Sequence, residues 1–218
     1  MILPYDPDFL ETKQIMLGER PINPQFKPLA EWIDKTYAVK TINVFYDTID
    51  DGVRPRLEIC FEFPEEQQIF SNHQGFDRVK QKAIGDKFKE IVSDQGLSEF
   101  KTENIWVIYG CFKSIAQIDA NDHVPEEKID ELSVKICNKD LWQIRRFFSG
   151  VTFFVYTDDQ MKKYLNSEIH QTWAHMYFDI LSEYDEFGYF EKEKFWVDLD
   201  SKENFDKNYN SSWFYYSR

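Results

Sequence analysis

The sequence is poor in the residues that bend or staple a chain. Glycine and proline number eight each among 218 residues, which excludes collagen-like and low-complexity architectures. Cysteine occurs three times, as Cys60, Cys111 and Cys137, with no C-x-x-C pair. Zinc-ribbon and thioredoxin-like chemistry therefore lacks its ligand set, and the thiols read as small core residues. Long apolar runs are missing too. The densest stretch, Phe147 to Tyr156, is far shorter than the roughly 18 residues a membrane span needs. Met1 to Asp8 has neither a basic n-region nor an apolar h-region. No secretion signal is expected from it, and the chain reads as cytoplasmic.

Positive charge is scarce as well. Lys and Arg total 26 against 39 Asp and Glu, a formal charge of −13. A phosphate-binding surface needs clustered cations to displace counterions. The most basic stretch, Arg78, Lys80, Lys82, Lys87 and Lys89, is interrupted by Asp77, Asp86 and Glu90, and its cations lie on the polar side of an amphipathic pattern. Nucleic acid and anionic membrane are not expected as partners. A basic protein partner suits the charge, because opposite fields steer encounter.

Motifs for named chemistry are absent. The chain contains no G-x-S-x-G or S-x-x-K, and no G-x-x-x-x-G-K-[ST] or G-x-G-x-x-G. Asp198-Leu199-Asp200 opens like a calcium loop, but glycine and glutamate are missing at the later positions such a loop requires. No metal or cofactor is called for. The histidines are His73, His123, His170 and His175. On a helix, His170 and His175 point about 140° apart and do not form a metal pair. His175 and Asp179 are four apart and share a face, with Glu168 and Glu183 nearby. They are the one candidate for a general-base dyad, as in a hydrolase-type enzyme.

What the chain has in excess is aromatic side chains, at 17%. They concentrate after Phe187, where Trp196 and the run Trp213-Phe214-Tyr215-Tyr216 stand out. Read as a strand, that run puts Trp213 and Tyr215 on one face and Phe214 and Tyr216 on the other. Trp213, Tyr215, Tyr216 and Trp196 are the candidate binding residues, because Tyr and Trp bury large areas at interfaces and keep a polar handle.

Periodicity predicts an irregular arm over 1–28, with one helical turn near Phe9–Met16, and then a helix over 28–38. Strands at 40–49 and 54–63 join through Asp50-Asp51-Gly52 into a hairpin with one wet face. A helix follows at 76–94, a strand at 104–112 and a helix at 126–148, with a candidate break near Asn138. A strand at 151–157, a helix at 159–184 and strands near 194–200 and 212–216 complete the pattern. These elements describe one α+β domain over 29–218, with a mixed, largely antiparallel sheet and three to four helices packed on it. No repeat of 20–50 residues is visible. The pieces ending in Asp50-Asp51 and Asp158-Asp159 resemble each other only briefly.

With no catalytic motif, an acidic balance and an aromatic excess, the sequence reads as a non-enzymatic protein-binding module. The specific form is an immunity-like protein that neutralises a basic partner. The alternatives are a hydrolase with a His175/Asp179 site and a structural subunit that forms homodimers through its aromatic C-terminus.

Overall fold

The computed structural model describes residues 3–165 and 167–217. The class is α+β, and the chain divides into two compact units, Met1–Ile115 and Ala116–Arg218. Unit 1 runs α1 (Pro7–Met16), α2 (Lys27–Tyr37), β1 (Thr41–Ile49), β2 (Arg54–Phe61), α3 (Pro64–Gln68), β3 (Ser71–Asn72), β4 (Gly75–Phe76), α4 (Arg78–Gln95) and β5 (Trp106–Cys111). The division falls in the first turn of α5 (Phe112–His123). Unit 2 continues with α6 (Glu126–Ile136), β6 (Leu141–Phe147), β7 (Gly150–Val155), α7 (Asp158–Tyr164) and α8 (Glu168–Leu181). It ends with β8 (Asp198–Ser201), α9 (Lys202–Tyr209) and α10 (Trp213–Tyr216).

Each unit holds a three-stranded sheet, ordered β1-β2-β5 and β6-β7-β8, and unit 1 adds the small β3-β4 ribbon. The hairpins β1-β2, β3-β4 and β6-β7 are antiparallel; β2-β5 and β7-β8 are parallel. A parallel pair needs a long crossover. Helices α3 and α4 supply it in unit 1, and α7 and α8 in unit 2. Four helices cover the inner faces. In unit 1, α2 and α4 bring Leu29, Ile33, Ile84 and Phe88 onto Val44, Leu57, Ile59 and Phe61. In unit 2, α6 and α8 bring Ile129, Leu132, Trp173 and Tyr177 onto Val151, Phe153 and Val155.

The β1-β2 hairpin forms where the sequence predicts it. Asp50, Asp51 and Gly52 all take positive φ in its turn, a conformation those residue types tolerate. Its supposed wet face is not wet: Glu58 and Cys60 are buried. Helix α1 covers them and is a full ten residues long. Its Thr12 accepts a hydrogen bond from Asn43 Nδ2 at 3.1 Å, and its Asp8 lies 3.7 Å from Arg56.

Three elements of unit 2 depart from expectation. The predicted 126–148 helix stops at Ile136, because Cys137 turns left-handed (φ 48°) and Asn138 Oδ1 accepts from Asp140 N in a tight turn. The remaining residues become β6, whose apolar side chains suit either period and whose backbone is claimed by β7. The predicted 159–184 helix is two helices. Leu165 has an extended ψ of 127°, and Ser167 caps a new start by accepting from His170 N; Asn166 lies outside the described residues. The aromatic run 213–216 is a helical turn, not a strand. Trp213 and Tyr216 therefore share a face, while Phe214 and Tyr215 point to solvent. No helix of the described residues is long and apolar enough to cross a membrane.

Candidate functional site

In unit 2 the first turns of α8 and the segment before β8 enclose a cleft of about 380 Å³. A single hydrogen bond ties its two walls. His170, 2% exposed, sits 2.8 Å through Nε2 from the carbonyl of Val197. A carbonyl only accepts, so Nε2 carries the proton and in the neutral ring Nδ1 is the acceptor. Nδ1 has no partner among the described residues. The imidazole and the Trp196 ring meet in a T-shaped contact at 4.6 Å between centroids, and Trp196 itself is 56% exposed. Glu168 and Glu193 stand at the cleft, exposed, and neither enters an ion pair among the described residues. Ser167, Gln171 and His175 complete the polar lining, and among the described residues no Lys or Arg contributes.

The structure thus brings His175 and Trp196 to one site. Asp179 is elsewhere engaged: its carboxylate pairs with Lys192 at 2.5 Å, and no hydrogen bond or ion pair joins it to His175. Trp213 and Tyr216 pack on the opposite face of the sheet, where Trp213 stacks on Phe205 at 4.0 Å and contacts Phe154 and Trp142. The guanidinium of Arg145 lies 4.5 Å from the Trp213 ring. The Tyr216 hydroxyl donates to Asp200 at 2.7 Å, which with burial pushes its titration far above the usual tyrosine range. Asp200 also accepts from Asn204 Nδ2 and from Ser201 N, so the sequence resembling a calcium loop is spent on local bonds. Tyr215 and Phe214 stay exposed beside this cluster. No group of three or more His, Cys, Asp and Glu able to hold a metal occurs among the described residues.

Unit 1 contains a cleft at the same place in its own fold. It is about 390 Å³ and lies between the first half of α4 and the segment leading into β5. Gln81 Nε2 donates to the carbonyl of Val107 at 2.5 Å, as His170 does to Val197. A tryptophan precedes each of those valines, Trp106 and Trp196. Gly85 lets the wall close in: a Cβ there would meet Ile105 Cγ2 at 3.1 Å. The charges of this first cleft are matched internally, Lys82 with Asp86 at 2.5 Å and Lys89 with Glu103 at 2.6 Å. The guanidinium of Arg54 lies over Trp106 at 4.9 Å.

Sequence reasoning missed His170, Glu168 and Glu193 as members of one site. The available signal was the repeated Trp-Val step, Ile105-Trp106-Val107 and Phe195-Trp196-Val197, at a spacing longer than a short-repeat search covers.

A second cluster of unusual electrostatics lies in unit 1. Glu58 is 3% exposed; burial and its hydrogen bond to Asp8 push its carboxyl up to about 9, against a smaller opposing pull from Arg56. Its Oε2 has no hydrogen-bond partner. Arg56 is held in a two-point pair by Asp47 at 2.8 and 2.7 Å. This cluster is roofed by α1, whose Asp8 faces Arg56 and Glu58, so it stands as an anchor for that helix. Comparison with known proteins finds no matching family model, curated protein or solved structure.

Proposed function

We propose that the chain is a non-enzymatic protein-binding module, immunity-like in kind, that captures a basic protein partner. The observation that carries this reading is the unbalanced charge at the unit 2 cleft. On the neighbouring segments Lys192 pairs with Asp179 and Lys194 with Glu191. Among the described residues Glu168 and Glu193 have no such partner, and they line the same cleft as an exposed tryptophan. An unpaired carboxylate beside an exposed aromatic suits a cationic, partly apolar counterpart better than it suits water alone. The surroundings reinforce the field. Between Asp179 and Glu193 the sequence places six acids against Lys192 alone. A field of one sign speeds encounter with an oppositely charged protein.

A hydrolase reading would need His175 and Asp179 to act together, and Asp179 is turned to Lys192. The test is an affinity pull-down of the tagged chain from its native lysate at low and high salt. A stoichiometric basic partner, weakened by salt, is expected. Absence of any such partner at either salt would move the function to another class.

A further inference from the structure

We infer that the unit 2 cleft is a receptor for one arginine side chain of the protein partner, with the guanidinium lying over Trp196 between Glu168 and Glu193. The inference rests on the binding reading above and adds to it the chemistry of the contact. Three observations carry it, and they are independent of the overall acidity.

First, among the described residues the cleft offers acceptors and a π face but no fixed cation. Glu168 and Glu193 are unpaired, and the 2%-exposed His170 presents an Nδ1 without a partner among the described residues. A ligand that satisfies such a lining must be rich in donors and positively charged. Guanidinium brings five N–H donors in a plane that stacks on an aromatic ring, whereas ammonium is a compact, strongly hydrated point charge.

Second, unit 1 sets a guanidinium of its own on the tryptophan of its cleft, although the cleft itself stays open at about 390 Å³. Arg54 lies over Trp106 at 4.9 Å, and Trp106 is 36% exposed against 56% for Trp196. No Lys or Arg of the described residues lies over Trp196. Third, the carboxylates of the first cleft, Asp86 and Glu103, are neutralised by its own lysines, while those of the second are not. One architecture therefore occurs twice, once satisfied by its own cations and once not.

The experiment is a titration of the full isotope-labelled chain with a glycine-serine pentapeptide bearing one central arginine, read at the indole N–H signals of Trp106 and Trp196. Matched peptides carry lysine or citrulline, and free L-arginine is a fourth ligand. The expected result is a saturable shift of Trp196, with at least tenfold weaker binding of citrulline and little response from Trp106. Glu193→Gln, on an exposed segment, should weaken the arginine peptide severalfold without altering the rest of the spectrum. Trp196→Ala should abolish binding, and its fold is checked by the retained indole signals of Trp142, Trp173 and Trp213 in the same unit. Equal affinity for citrulline overturns the inference, as does free arginine binding as tightly as the peptide, which would assign the cleft to a metabolite. If Trp196 is silent while other signals of unit 2 shift in a salt-dependent way, the arginine receptor is wrong and the acidic module stands. If neither the peptide nor octa-arginine shifts anything, both fail.

Discussion

Unit 1 and unit 2 cover the second faces of their sheets with opposite materials. Beneath α1, β1 and β2 present Asn43, Glu58 and Cys60, which are met by Asp8 and Thr12. At the matching position of unit 2, β6 and β7 present Trp142 and Phe154, which are met by Phe205, Trp213 and Tyr216 from α9 and α10. The inner faces are alike, aliphatic and aromatic in both. The order of elements is alike too: a helix, a hairpin, a short helix, a long helix, and a strand that runs parallel to the second hairpin strand and leads straight into another helix. Evidently the inner core specifies the architecture, and the outer face is free to be polar or aromatic provided something covers it. Net charge diverges in the same direction as the clefts. Unit 1 has 14 Lys and Arg against 19 acids, and unit 2 has 12 against 20.

The contrast can be broken at the buried acid of unit 1, where the largest effect is expected. Glu58 titrates near 9 in the fold, against 4.5 ordinarily. The folded state therefore keeps a proton that the unfolded chain releases. Stability should be greatest at the acid end of that window and decline as pH rises from about 4.5 to 9, by as much as ~1.4 kcal/mol per pH unit. Urea unfolding across this range should show the decline, and Glu58→Gln should flatten it and raise stability at neutral pH. A pH-independent wild type would mean that the carboxyl is not held neutral.

On the unit 2 side, Trp213→Ala should cost about 3 kcal/mol, in the range for emptying an aromatic site. Tyr215→Ala, one helical step away and exposed, should change stability by less than ~0.5 kcal/mol. Equal losses at both positions would restore the strand reading of that segment. Somewhat smaller is Asn121→Ala, at about 2 kcal/mol. Asn121 is fully buried, donates to the carbonyls of Phe148 and Gly150, and accepts from Tyr177. Smaller again is Tyr177→Phe, which removes only the hydroxyl from that network and should cost about 1 kcal/mol.

Much of the inner architecture was legible because its signals are local. The Asp-Asp-Gly turn, the alternation around Leu57 and Ile59, and the 3.6-residue spacing of Ile84, Phe88 and Ile91 all lie within one element. The failures fall where a short stretch carries two periods at once. Leu141 to Phe147 reads as helix until β7 pairs with it, and Trp213 to Tyr216 reads as strand until its helical turn sets Trp213 and Tyr216 on one face. The wet-face error at Glu58 has a different cause: only the return of α1, far away in sequence, buries that carboxyl. The cleft was half legible. Trp196 and His175 could be named as residues, but the bond from His170 to Val197 spans 27 positions and leaves no local trace. The duplicated architecture was hidden for the same reason, since it rests on strand order and on a single Trp-Val step.

One cleft design occurs twice: in unit 1 its carboxylates and its tryptophan are engaged by the chain's own cations, and in unit 2 they are left for a partner's. The most direct test is the stoichiometry and place of arginine-peptide binding in wild type and in the triple variant Arg54→Ala, Lys82→Ala, Lys89→Ala, followed at the Trp106 and Trp196 indole signals. One peptide per wild-type chain is expected, seen at Trp196, with a second site at Trp106 once Arg54, Lys82 and Lys89 are all removed. A wild-type chain that binds at Trp106 as strongly as at Trp196, or at neither, would contradict it.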